Sequence, residues 1–141
     1  MQLAFADNPE AQAACFPVMR QLRGHLSDEA VFVAQVARQA EQAYRLAYLS
    51  DDRGVQAVAG FRIYENLIHG RVLYVDDLVS DEAARSKGYG KALIEFLGQH
   101  AREQNCQSLQ LDSGVQRQEA HAFYFRENMR ISSYHFIKRL S

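Results

Sequence analysis

"ARSKGYGKAL", residues 84–93, sets two glycines, Gly88 and Gly90, among three cationic side chains, Arg85, Lys87 and Lys91. Directly after it, apolar residues recur at 89, 92, 93, 96, 97 and 101, one face of a helix. The first turn of a helix presents unpaired N–H groups and partial positive charge. Glycines there let a pyrophosphate come close to the backbone, so the stretch reads as a phosphate cradle.

Three kinds of glycine-rich phosphate loop compete for this stretch. The dinucleotide fingerprint GxGxxG fails at its third glycine, which falls on Leu93. The preceding strand ends near Val79, about eight residues before Gly88, where a dinucleotide fold turns tightly. Asp112 ends the next strand as a ribose-binding carboxylate would, but only 29 residues follow it, too few for a second half-sheet. The P-loop pattern GxxxxGK[ST] fails at both ends, at Arg85 and at Ala92. The third pattern, [RQ]-x-x-G-x-G/A, is met in full by Arg85-Ser86-Lys87-Gly88-Tyr89-Gly90.

Outward from the loop, periodicity orders the rest of the chain. Leu3 to Ala6 reads as a short strand, and Asn8-Pro9-Glu10 as the start of a helix. Pro17 is expected to kink that helix or mark its true start. Ser27-Asp28-Glu29 opens a second helix running to about Gln42. Tyr44–Leu49 and Val55–Tyr64 alternate about an Asp51–Gly54 turn, a hairpin, and Arg71–Val79 is a third strand in this run. After the glycine helix come a strand over 107–112, a helix over 118–129 and a closing strand over 131–140. The expected fold class is α+β: one domain over residues 1–141, a mostly antiparallel sheet with one parallel β-α-β crossover.

Bulk properties exclude other classes. A net charge of −1 argues against a nucleic-acid partner or an anionic-membrane surface. No apolar run approaches the ~18 residues a membrane helix needs, and no secretory leader pattern opens the chain. Cys15 and Cys106 stand apart with no metal-ligand spacing, and the five histidines form no HxH or HExxH pattern. The two cysteines read as reduced thiols of a cytoplasmic protein, and no metal site is expected.

"YVDDLVSDEAARSKGYGKALIEFL", residues 74–97, resembles the fourth strand, pyrophosphate loop and third helix of the GCN5-related N-acetyltransferases. "AHAFYFRENMRI", residues 120–131, is similar to that family's fourth helix, with its FY pair at Phe123-Tyr124. The resemblance implies acetyl-CoA as co-substrate, held by Arg85, Ser86, Lys87, Gly88, Tyr89, Gly90 and Lys91. It places the pantetheine arm along Leu78 and Val79, whose N–H groups would hold the developing oxyanion. It implies Tyr124 as the acid that protonates the departing thiolate. Asp76 and Asp77 are the candidate bases. Strand alternation allows only one of them to face the acceptor cleft, and alignment with a Glu-Asp pair in relatives favours Asp76, relaying the proton through water.

The acceptor is then an amine, a small cationic one favoured over a protein amine. His25, Asp28, Glu29, Phe32, Arg62, Tyr64 and Glu65 lie where the family chooses substrates. The competing reading is a non-catalytic acyl-CoA-binding sensor of the same fold. Two departures stand out: Arg117 where many relatives carry Asn, and Arg130-Ile131 where they carry Gly-Phe. His121, one helical turn before Tyr124, reads more simply as a half-buried helix residue than as part of the chemistry. Some relatives pair through their last strands, which makes Tyr134–Leu140 a candidate homodimer contact.

Overall fold

Asn8 accepts a hydrogen bond from the Ala11 N–H at 2.8 Å, and Asp28 accepts one from Val31 at the same distance. These caps start two helices, α1 (Pro9–Leu22) and α2 (Glu29–Ala40), which follow strand β1 (Gln2–Phe5). The computed structural model describes all 141 residues, which divide into two units, Met1–Gln110 and Leu111–Ser141. Pro17 lies inside α1, neither at its start nor at its end, and is solvent-exposed.

Three long strands form the centre of the first unit: β2 (Tyr44–Asp51), β3 (Gly54–Asn66) and β4 (Gly70–Ser80). A 3-10 turn at Glu82–Ala84 leads to α3 (Tyr89–Glu103) and then β5 (Ser108–Leu111). The strands lie in the order β1-β2-β3-β4-β5, with the first four antiparallel and β5 reached through α3, completing a mixed sheet.

Helices cover both faces of this sheet. Val58, Tyr44, Leu46 and Val79 pack with Cys15, Phe16, Met19, Phe32 and Val36 of α1 and α2. On the opposite face, Phe61 meets His100 of α3 with ring centroids 5.8 Å apart, and Phe5 stacks near Phe96 at 5.1 Å. Covered on two sides, the middle of β3 is buried without a break from Gln56 to Phe61. Burial of the apolar area on these two faces is what holds the sheet against its ordering entropy.

In the second unit, α4 (Gln118–Arg126) ends three residues short of the predicted limit. Asn128 adopts a left-handed φ of 63°, and its N–H bonds to the Phe125 carbonyl while Met129 bonds back to Tyr124. This is a Schellman close with Asn in the usual glycine role. It explains how the helix stops with Arg130-Ile131, and no glycine, after it.

The predicted last strand does not form. Residues 131–140 carry no regular secondary structure, and Tyr134, Phe136, Ile137 and Leu140 are exposed. Alternation marks a segment able to join a sheet, but a strand also needs a paired neighbour.

Candidate active site

The site begins with a bulge in β4. Asp77 pairs with Gly60 of β3 and Val75 pairs with Phe61, so Asp76 is the extra residue with no partner opposite. A bulge breaks the side-to-side alternation, and both carboxylates line the same pocket. The expectation that only one of Asp76 and Asp77 can face the cleft is therefore corrected.

Each carboxylate has a guanidinium. Arg62 grips Asp76 with two bonds, Nη2 to Oδ2 at 2.6 Å and Nε to Oδ1 at 3.1 Å. Arg23, just past the end of α1, donates from Nε to Asp77 Oδ1 at 2.9 Å and from Nη2 to the Asp76 carbonyl at 3.0 Å. That second bond satisfies a carbonyl at the bulge and helps fix it. Tyr44 donates its hydroxyl to Asp77 Oδ2 at 2.6 Å. Burial pushes the Tyr44 phenol far above its ordinary range, and the Asp77 charge pushes the same way, so Tyr44 stays a donor. Gly60 makes room for this pair: a Cβ there would fall inside the contact radii of Tyr44 Oη and Asp77 Oδ2.

The open pocket over these groups has a volume of about 160 Å³. Met19, Leu26, Phe32 and Val36, from α1, α2 and the segment joining them, supply apolar walls. Gln35 and Gln39, bonded to each other at 2.9 Å, and His25 add polar groups.

The loop after β4 forms the second part of the site. Asp81 accepts from the Ala83 N–H at 2.8 Å and starts the 3-10 turn. Ser86 and Gly88 both take left-handed φ, 70° and 79°, and Gly88 stands at the N-cap of α3. No side chain caps α3, no acidic residue occupies its first turn, and nothing fills the space where a Gly88 Cβ would lie. The helix thus starts with its positive end uncompensated by local anions. Arg85, Ser86, Lys87 and Lys91 are exposed around it. Tyr89 ties the loop to the β2–β3 turn through a 2.8 Å bond from its hydroxyl to Asp51. That bond holds the Asp51 carboxyl below its usual range and raises the Tyr89 phenol.

Leu78 and Val79 continue β4 beyond the bulge, opposite Ala59 and Val58. The Val79 side chain belongs to the core against α1 and α2, so only its backbone is open to a ligand role.

Tyr124 lies on α4 of the second unit, half-buried. Burial raises its phenol above the ordinary value, opposed by the nearby Arg117 guanidinium. Arg117 thus lowers the Tyr124 phenol against the effect of burial. His121 Nε2 lies 2.8 Å from the Gly114 carbonyl and, as the donor, closes the loop ahead of α4, a structural role. Sequence reasoning missed Arg23, Tyr44 and Gly60 as parts of the site. Only Gly60 left a signal, as an isolated glycine in a strand.

Solved acetyltransferases share this architecture. A ribosomal-protein-alanine N-acetyltransferase from Brucella melitensis superposes with a TM-score of 0.85 at 16% identity, over 99% of this chain and all of that one. A putative acetyltransferase from Agrobacterium tumefaciens gives 0.83 at 21% identity, over 99% of each chain. In sequence, the chain is 33% identical over 130 residues to the uncharacterized N-acetyltransferase YhdJ of Bacillus subtilis, covering 92% of both. The family model for the Acetyltransferase (GNAT) family matches residues 9–128. The chain belongs to the GNAT family, and it is an acetyltransferase.

Proposed function

We propose that residues 1–141 form a single acetyl-CoA-dependent N-acetyltransferase domain, in which a small cationic amine attacks the thioester directly. The observation that carries this reading is the β4 bulge, which gathers two carboxylates on the strand that leads into an uncapped, glycine-started helix. The α3 N-terminus fits a pyrophosphate, with open space at Gly88 and exposed cations at Arg85, Lys87 and Lys91. Acetyl-CoA, when bound, supplies the activated acetyl group. In this reading, Ser86, Gly88, Tyr89 and Gly90 hold the pyrophosphate with those cations. Leu78 and Val79 offer backbone groups to the pantetheine arm, and an N–H of this pair holds the developing oxyanion.

An alkyl ammonium has a pKa of about 10.4, so it must lose a proton before it attacks. Asp76, the more exposed of the two carboxylates at 23% against 13%, accepts that proton through a water. Asp77, clamped by Arg23 and Tyr44, holds the bulge and the pocket in shape. Tyr124 delivers a proton to the departing thiolate.

Calorimetric titration with acetyl-CoA, with NAD and ATP as controls, tests the cofactor. Binding of acetyl-CoA alone, followed by CoA release on adding amines, is expected. Binding without release by any amine would favour the sensor reading, and a preference for NAD would end both.

Two substitutions separate the parts. Gly88→Val forces a β-branched residue into a left-handed φ of 79° and fills the space left for phosphate. It is expected to weaken acetyl-CoA binding by about 10²-fold, a loss of about 3 kcal/mol, while the far-UV spectrum stays native. Unchanged affinity would remove the loop from the cofactor site. Asp76→Asn leaves the rate dependent on free amine, so kcat/KM should keep climbing with pH toward about 10.4. If Asp77→Asn does this and Asp76→Asn does not, the two roles are exchanged.

A further inference from the structure

Resting on the acceptor pocket assigned above, we infer that this enzyme acetylates a primary monoamine with a small apolar body and does not use polyamines or aminoglycosides. The inference comes from the pocket's charge balance and its walls. Asp76 and Asp77 are its two carboxylates, and each is already matched, Asp76 by Arg62 at 2.6 Å and Asp77 by Arg23 at 2.9 Å. The cluster of two carboxylates and two guanidiniums has no net charge. Tyr44 occupies a further lone pair of Asp77. One ammonium can still approach the free lone pairs, where it must be held before it loses its proton. A second ammonium would have to share those same lone pairs with the first, and both the first ammonium and Arg23 would repel it. A desolvated cation without a partner is disfavoured strongly.

The walls select the body of the amine. Met19, Leu26, Phe32 and Val36 offer apolar surface, and the polar side chains beside them are His25 and the Gln35–Gln39 pair, bonded to each other. The pocket, open on one side, has a volume of about 160 Å³. An apolar cavity of roughly 150 Å³ accepts benzene, which sets the scale of the body that fits. Phenethylamine and isoamylamine have that size and a single charge.

The test uses the full chain. CoA release is measured with phenethylamine and isoamylamine against spermidine and tobramycin, all with acetyl-CoA. The expected kcat/KM for the two monoamines is at least about tenfold above that for the polycations. Arg23→Gln removes the repelling charge and should collapse this ratio, whereas Arg23→Lys should preserve it. A second readout does not need turnover. Met19 is the one methionine in the pocket, and the other two, Met1 and Met129, lie elsewhere in the chain. With methyl-13C-methionine and CoA present, phenethylamine should shift the Met19 signal saturably and spermidine should not, with Met19→Leu giving the assignment.

Spermidine moving the Met19 methyl as strongly as phenethylamine, or turning over faster, would overturn the inference. So would a Met19 methyl silent to both monoamines. A selective Met19 shift with no CoA release would uphold the pocket's preference while removing the acetyl-transfer reading, so the two failures are distinguishable.

Discussion

Tyr124→Phe is expected to lower kcat at neutral pH by about 10²–10³-fold, within the usual range for a lost general acid. Affinity for acetyl-CoA should change little, since the substitution removes one oxygen from a half-buried ring. The pH dependence gives the sharper test. Burial raises the Tyr124 phenol above its ordinary range despite the opposing Arg117 guanidinium, so the hydroxyl keeps its proton throughout the neutral range. A thiol of pKa about 8.5 leaves as a stable thiolate above that pH and no longer needs the donated proton. The deficit of the Phe variant should therefore shrink as pH rises past about 8.5. A deficit that stays constant with pH would make Tyr124 a packing residue beside Phe123, whose ring meets it at 5.4 Å. Full activity in the variant would remove the acid assignment outright.

How legible this site is in the sequence depends on whether each feature is local. The α3 loop is legible because its properties belong to one short stretch: glycines, cations and the apolar stripe of the helix that follows. The hairpin β2–β3 and the strand β4 are legible for the same reason, with turns at Gly54 and Gly70, both at positive φ. The bulge is not legible. "DD" at 76–77 looks like two residues on opposite faces, and only the pairing with β3 shows that one is supernumerary. The partners of the pair come from far away in sequence, Arg23 from the end of α1 and Tyr44 from β2. No periodicity reports a contact between residues 54 positions apart. The segment 131–140 shows the converse. Its alternation suits a strand, yet pattern records only what a segment is suited to, and the ladder partner is a separate requirement.

Gly60→Ala is expected to be among the most damaging single changes in the first unit, because the space it would fill is occupied. The added Cβ would overlap Tyr44 Oη and Asp77 Oδ2, and it would also press on the Tyr44 ring. Tyr44 cannot simply swing out, since it is only 5% exposed and sits in the core with Met19, Phe32 and Val36. Overpacking of a tight site costs about 1–3 kcal/mol, and a buried hydroxyl parted from its acceptor costs about 1–3 kcal/mol more. The urea midpoint should fall accordingly at unchanged m-value. Activity should fall further than the unfolded fraction accounts for, because Asp77 loses its clamp and the bulge its fixed shape. Removing the obstruction tests the cause. In a Tyr44→Leu background the ring and hydroxyl are gone, and the methyl that Gly60→Ala adds occupies part of the vacated space. The two substitutions should then be non-additive by about 1–3 kcal/mol, the double variant being more stable than the sum of the single losses predicts. Strict additivity would mean that Gly60 is required for the backbone path of the bulge itself and not for the Tyr44–Asp77 pair.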